Sequence, residues 1–128
     1  VPNAFDVLNI DIDSYDLHVI SRLLEQYQQK IITMEINEKI PPGIFFTVNF
    51  DESLGFLNGH FFGASIDAAC KVVKPKGYLL WKVEYNNAFF VRKDIAPKTM
   101  VDQSSEVAWT VGYKEKKDRK EIFHFNIN

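Results

Sequence analysis

The sequence predicts an α/β domain: a mainly parallel sheet whose last strand runs antiparallel, followed by a C-terminal β-hairpin. Three observations carry that expectation. The order of apolar segments alternates strand, helix, strand, then helix, strand, strand, and strands joined through helices pair in parallel with right-handed crossovers. The last two strands of that series are joined by only Asn86-Asn87, a connection short enough to demand antiparallel pairing. At 128 residues, 46% hydrophobic and 25% charged, the chain has the size and balance of one domain with one core, numbered here as 1–97 with an extension over 98–128.

The elements follow in order. Phe5 to Ile12 (FDVLNIDI) reads as a buried strand that ends in acid. Asp13 or Ser14 is placed to cap the next helix, with Asp16 in its first turn where the helix dipole favours negative charge. Leu17, Ile20, Leu24 and Tyr27 share one face of a helix expected from Tyr15 to Gln29. Lys30 to Ile36 (KIITMEI) does not alternate cleanly, which suits a strand covered on both faces. Asn37 to Gly43, with two prolines and a glycine, breaks any ladder. Ile44 to Gly63 reads as a long aromatic loop with short ordered pieces. Ser65 caps a second helix whose face is Ile66, Ala69, Cys70 and Val73. Tyr78 to Tyr85 and Ala88 to Val91 are the third and fourth strands. In the tail, Val107, Trp109, Val111 and Tyr113 alternate, as do Phe123, Phe125 and Ile127, with the charged run Lys114 to Lys120 between them, so a hairpin is expected.

Composition excludes several classes. The formal net charge of −2 supplies no basic excess to neutralise a phosphate backbone, so nucleic acid is not an expected partner. No apolar run is long enough to span a bilayer, and no signal segment stands at the start, so a cytoplasmic location is expected. One cysteine, Cys70, cannot close an intrachain disulfide, and on an apolar helical face it reads as a packed thiol. His18, His60 and His124 share no metal-ligand spacing.

Chemistry is expected at the carboxyl ends of the parallel strands, where ligands collect in such sheets. Asp11, Asp13 and Asp16 close the first strand; Glu35, Asn37 and Glu38 close the second. Capping and solvation alone explain some of these acids. Glu35, set among Ile31, Ile32, Met34 and Ile36, is harder to dismiss, because a buried carboxylate needs a partner. Asp11-Ile12-Asp13 is also a D-x-D after an apolar strand. A haloacid-dehalogenase-like phosphatase would place Gly-Thr next, where this chain has Ser14-Tyr15. A nucleotide-sugar transferase would hold a divalent cation with the pair, and would need a preceding nucleotide-binding half.

Taken together, Phe5 to Ile95 resembles the C-terminal part of FkbM-type S-adenosylmethionine-dependent methyltransferases. FDVLNIDIDSYD (5–16) is similar to that family's fourth strand, D-L-L-S-I-D-I-D-G-x-D. IITMEINEKIPPG (31–43) is similar to its fifth strand, V-V-I-E-x-N, with the Pro-Pro-Gly loop. FGASIDAACKVVKPKGYLL (62–80) is similar to its later helix and sixth strand, and NNAFFVRKDI (86–95) to its closing N-A-F-F-V-R-x-D strand. The resemblance implies a partial Rossmann-like sheet with an antiparallel last strand. It implies catalytic roles for Asp11, Asp13 and Glu35, and contact of Asp16 and Asn37 with the cofactor. Ser14 stands where the family has glycine. The chain has no G-x-G turn with which to hold S-adenosylmethionine, so the expectation is a truncated or degenerate methyltransferase-like protein, inactive alone. A non-enzymatic assembly module with the same half-sheet is the alternative, and a metal-dependent transferase using Asp11 and Asp13 a further one. A half-sheet leaves an edge exposed, so a homo-oligomer through the first strand or the aromatic loop is expected.

Overall fold

The computed structural model of the chain describes residues 3–51 and 62–122. Four strands, β1 (Ala4–Ile10), β2 (Gln28–Glu35), β3 (Tyr78–Glu84) and β4 (Asn87–Arg92), form one sheet in the order β1-β2-β4-β3. β1 runs parallel to β2, and β4 is antiparallel to both β2 and β3. The α/β class and the antiparallel last strand agree with the sequence. The position of β4 corrects the expected arrangement. It sits between β2 and β3, so β2 and β3 point the same way without sharing a ladder, though the Tyr78 hydroxyl of β3 donates to the Gln29 carbonyl of β2 at 2.7 Å. The Tyr85-Asn86 turn brings β4 back against β3, and its other edge takes β2, with Ile32 opposite Phe90.

Helices α1 (Asp16–Leu23) and α2 (Ile66–Val73) cover one face of the sheet. Leu17 and Ile20 from α1, and Ile66, Ala69 and Val73 from α2, pack into one core with Leu8, Ile32, Met34, Leu80, Ala88 and Phe90. The Ser65 cap forms as the sequence indicates, its hydroxyl accepting from the Ala68 N–H at 3.2 Å. The α1 cap does not. Neither Asp13 nor Ser14 caps the helix; Tyr15 occupies that position without a side-chain capping bond, and the Asp16 carboxylate gathers the turn.

Helix α1 also ends six residues early. Gln28 and Gln29 belong to β2, because Gln28 N–H donates to the Asn3 carbonyl at 3.0 Å and opens the ladder with β1. A strand of eight residues beside β1 forces re-entry there, and tertiary pairing overrides a helical pattern that runs on to Tyr27. Tyr27 instead meets Phe5, ring centroids 5.9 Å apart. β1 is the sheet edge and is mostly exposed, with only Leu8 buried, which corrects the expectation of a buried strand.

The expected hairpin strand over 107–113 is helical. α3 (Ser105–Trp109) runs into a π-helical turn (Thr110–Lys114), and a short α4 (Arg119–Ile122) follows. Period-two alternation also places residues four apart on one helical stripe: Val107 and Val111 face outward, while Ala108 and Gly112 face inward. Ser104 supplies the start signal, accepting from the Val107 N–H at 3.2 Å. The other expected strand, Phe123 to Ile127, lies outside the described residues, as does half of the expected aromatic loop. Among the described residues no helix is long and apolar enough to cross a membrane.

Candidate functional site at the strand ends

The parallel register pairs Ile10 with Met34, so β1 and β2 finish level with one another. Asp11 follows the end of β1, and Glu35 is the last residue of β2. Beyond Asp11 the chain turns sharply through two left-handed residues, Asp13 at φ +54° and Ser14 at φ +114°. Asp16 holds this turn. One carboxylate oxygen accepts from the Ile12 N–H and the other from the Ser14 N–H, both at 3.3 Å. That bonding explains how a carboxylate only 2% exposed is tolerated.

The result is a ledge of three acids. Carboxylate oxygens of Asp11, Asp16 and Glu35 lie within 4.8 Å of one another. Across the ledge from β1, the β3–β4 turn contributes Asn86, whose Nδ2 donates to Glu35 Oε1 at 3.1 Å. Asn86 is anchored in turn by its carbonyl, which accepts from the Ile36 N–H at 2.8 Å.

Burial dominates the electrostatics. It pushes the Glu35 carboxyl up to about 7, against the relief given by the Asn86 bond; the negative charges of Asp11, Asp16 and Asp13 push the same way as burial. Asp16 is raised as well, mainly by burial, opposed by its main-chain donors and reinforced by Asp11. With its carboxyl pushed up to about 7, Glu35 is part-protonated near neutral pH. Such a group can take a proton from a bound hydroxyl or orient it. Carboxylate oxygens at this spacing are also the donor set that a hard divalent cation prefers.

Of the residues expected at the site, Asp11, Asp16 and Glu35 come together. Asp13 is exposed on the turn and reaches Glu35 only through its field. Asn37 is fully buried away from the ledge oxygens, its Nδ2 donating to the Phe62 carbonyl at 3.0 Å and its Oδ1 accepting from the Lys39 N–H at 3.2 Å. One residue escaped sequence reasoning: Asn86 looked only like a turn former. Glu38, read with Glu35 and Asn37 at the end of the second strand, is 1% exposed, and neither of its carboxylate oxygens has a hydrogen-bond partner among the described residues. Burial raises its carboxyl.

Tyr15 stands at the start of α1, and His18 lies in its first turn. Tyr15 and Phe50 meet edge to face at 5.2 Å, and His18 Nε2 lies 2.7 Å from the Val48 carbonyl. These contacts tie residues 48–51 to the start of α1.

Compared with protein-family models, curated proteins and solved structures, the chain shows no significant match.

Proposed function

We propose that the chain is the C-terminal portion of a methyltransferase-type fold and carries the acceptor side of the site without transferring methyl groups by itself. The observation that supports this most is the ledge itself. Asp11 and Glu35 stand at the level ends of two adjacent parallel strands, in a sheet whose last strand is antiparallel. The resemblance implies that arrangement, and ligands of such sheets bind there. Glu35, with a carboxyl near 7, is the proton acceptor, and Asn86 orients it. Asp16 holds the turn on which Asp11 sits.

The residues present do not fit the methyl donor. The sequence has no G-x-G turn, and the ledge offers acids where the donor's carboxylate and ribose require amide donors and a separate acid. No step is therefore assigned to S-adenosylmethionine in this chain. Calorimetric titration is expected to show no tight binding of S-adenosylmethionine, and the coding sequence upstream of Val1 to encode an in-frame glycine-rich turn after a strand. A low-micromolar dissociation constant for the 128-residue chain, or an upstream frame without such a turn, would overturn the proposal.

A second reading, a divalent-cation-dependent transferase, is favoured by the spacing of the ledge oxygens. The set would be Asp11, Asp16 and Glu35, and the earlier pairing of Asp11 with Asp13 is replaced. Manganese titrated in the same calorimeter should then bind wild type and fail to bind Glu35→Gln; equal heats from both would remove this reading.

A further inference from the structure

Strand β1 pairs with β2 on one side, and among the described residues nothing pairs with its other side. A parallel ladder engages alternate residues of a strand. The bond from Gln28 N–H to the Asn3 carbonyl fixes which ones. The main chains of Phe5, Val7 and Asn9 turn toward β2, and those of Ala4, Asp6, Leu8 and Ile10 turn outward. Exposed edges of this kind are normally blunted by proline, a bulge, a very short strand or an outward lysine. β1 is seven residues long, reads AFDVLNI and has none of these. Its one charge, Asp6, is held by Lys30 at 2.6 Å on the neighbouring strand.

We propose that the free edge of β1 binds the β1 edge of a second copy of this chain, antiparallel about a two-fold axis at Val7. The strand is complementary to itself in that register. Ala4 falls opposite Ile10 of the partner copy and Asp6 opposite Leu8, so every outward main chain meets another outward main chain and all seven residues pair. Shifting the register by one residue sets outward groups against inward ones and loses the hydrogen bonds. Shifting it by two in one direction sets Asp6 directly against its own copy, a like-charge pair that destabilises a ladder. Shifting it by two the other way leaves Ala4 and Phe5 unpaired. Val7, which is 55% exposed, meets its own copy as a non-hydrogen-bonded pair, where side chains stand closest. Two four-stranded sheets then join as one, and the exposed valines cover each other. In the longer fold proposed above a preceding strand would take this edge, so the dimer is a property of the 128-residue chain by itself, and a monomer would leave that reading untouched.

The test uses the 128-residue chain. Light scattering after size exclusion should give twice the chain mass at tens of micromolar. Asp6→Pro removes one outward N–H from an exposed position and should give a monomer. Val7→Cys should cross-link to a disulfide dimer on mild oxidation, because Cα atoms of such a pair lie about 4.5 Å apart, within disulfide range. Asn9→Cys should not cross-link, since the two-fold puts it opposite Phe5. Cys70 is buried and does not compete. A monomeric wild type, or a dimer in which Val7→Cys stays reduced while Asn9→Cys cross-links, would overturn the proposal; the cysteine pair reads the interface even if the proline variant fails to fold.

Discussion

Ser14 holds a backbone conformation that suits glycine. Its φ of +114° is one a side chain rarely adopts, and its own N–H is committed to Asp16 at 3.3 Å. Glycine is the residue the proposed methyltransferase reading expects at that position, and the serine there is a point of strain in the structure. Ser14→Gly should stabilise the chain by about 1 kcal/mol, relief of strain exceeding the added freedom of the unfolded chain. Urea unfolding checks this; a loss of stability would mean that the serine side chain carries an interaction worth more than the strain. Glu35 makes a second residue-scale prediction. Its carboxyl rises from 4.5 to about 7 on folding, so between those values the folded state keeps a proton that the unfolded chain releases. Stability is therefore full below that window, falls as pH rises through it, and levels off above. The loss is roughly 3–4 kcal/mol before solvent screening reduces it. Glu35→Gln should flatten most of the slope in unfolding experiments between pH 5 and 8.

At the scale of elements, the strands and α2 were legible because their signals are local. Ser65 caps, Pro75 ends the helix, and Gly77 at φ +96° turns the chain into β3. The end of α1 was not legible, because the residue that stops it, Gln28, is recruited by Asn3 twenty-five positions earlier in the chain. The tail was misread for another reason. Alternation of period two and a helical i, i+4 stripe coincide over so few residues, and Trp109 with Tyr113, ring centroids 5.8 Å apart, fits both. Gly112 decides between them. Its carbonyl accepts from the Tyr85 N–H at 2.8 Å, and a methyl at its Cα would overlap the Val83 carbonyl. Gly112→Ala should therefore push the π-helical turn off β3 and destabilise the chain by about 1–3 kcal/mol, the cost of overpacking. A full-stability alanine variant would show that the turn does not need this close approach.

For the whole molecule, the sheet order is what turns scattered acids into a site. The sequence placed Asp11 and Glu35 at the ends of two strands, and parallel pairing sets those ends side by side. Asp16 joined them through a turn whose shape its own carboxylate creates. Asn86 could not be anticipated, since it reaches Glu35 only because β4 inserts beside β2. The same topology leaves β1 at the edge, where the chain is most exposed. Whether the three carboxylates act as one electrostatic unit can be read directly by carbon-detected nuclear magnetic resonance of the glutamate carboxyls through a pH series. Glu35 should titrate near 7, and Asp11→Asn should lower its midpoint. A Glu35 midpoint near 4.5 that Asp11→Asn leaves unmoved would contradict the convergence of β1 and β2 on a shared ledge.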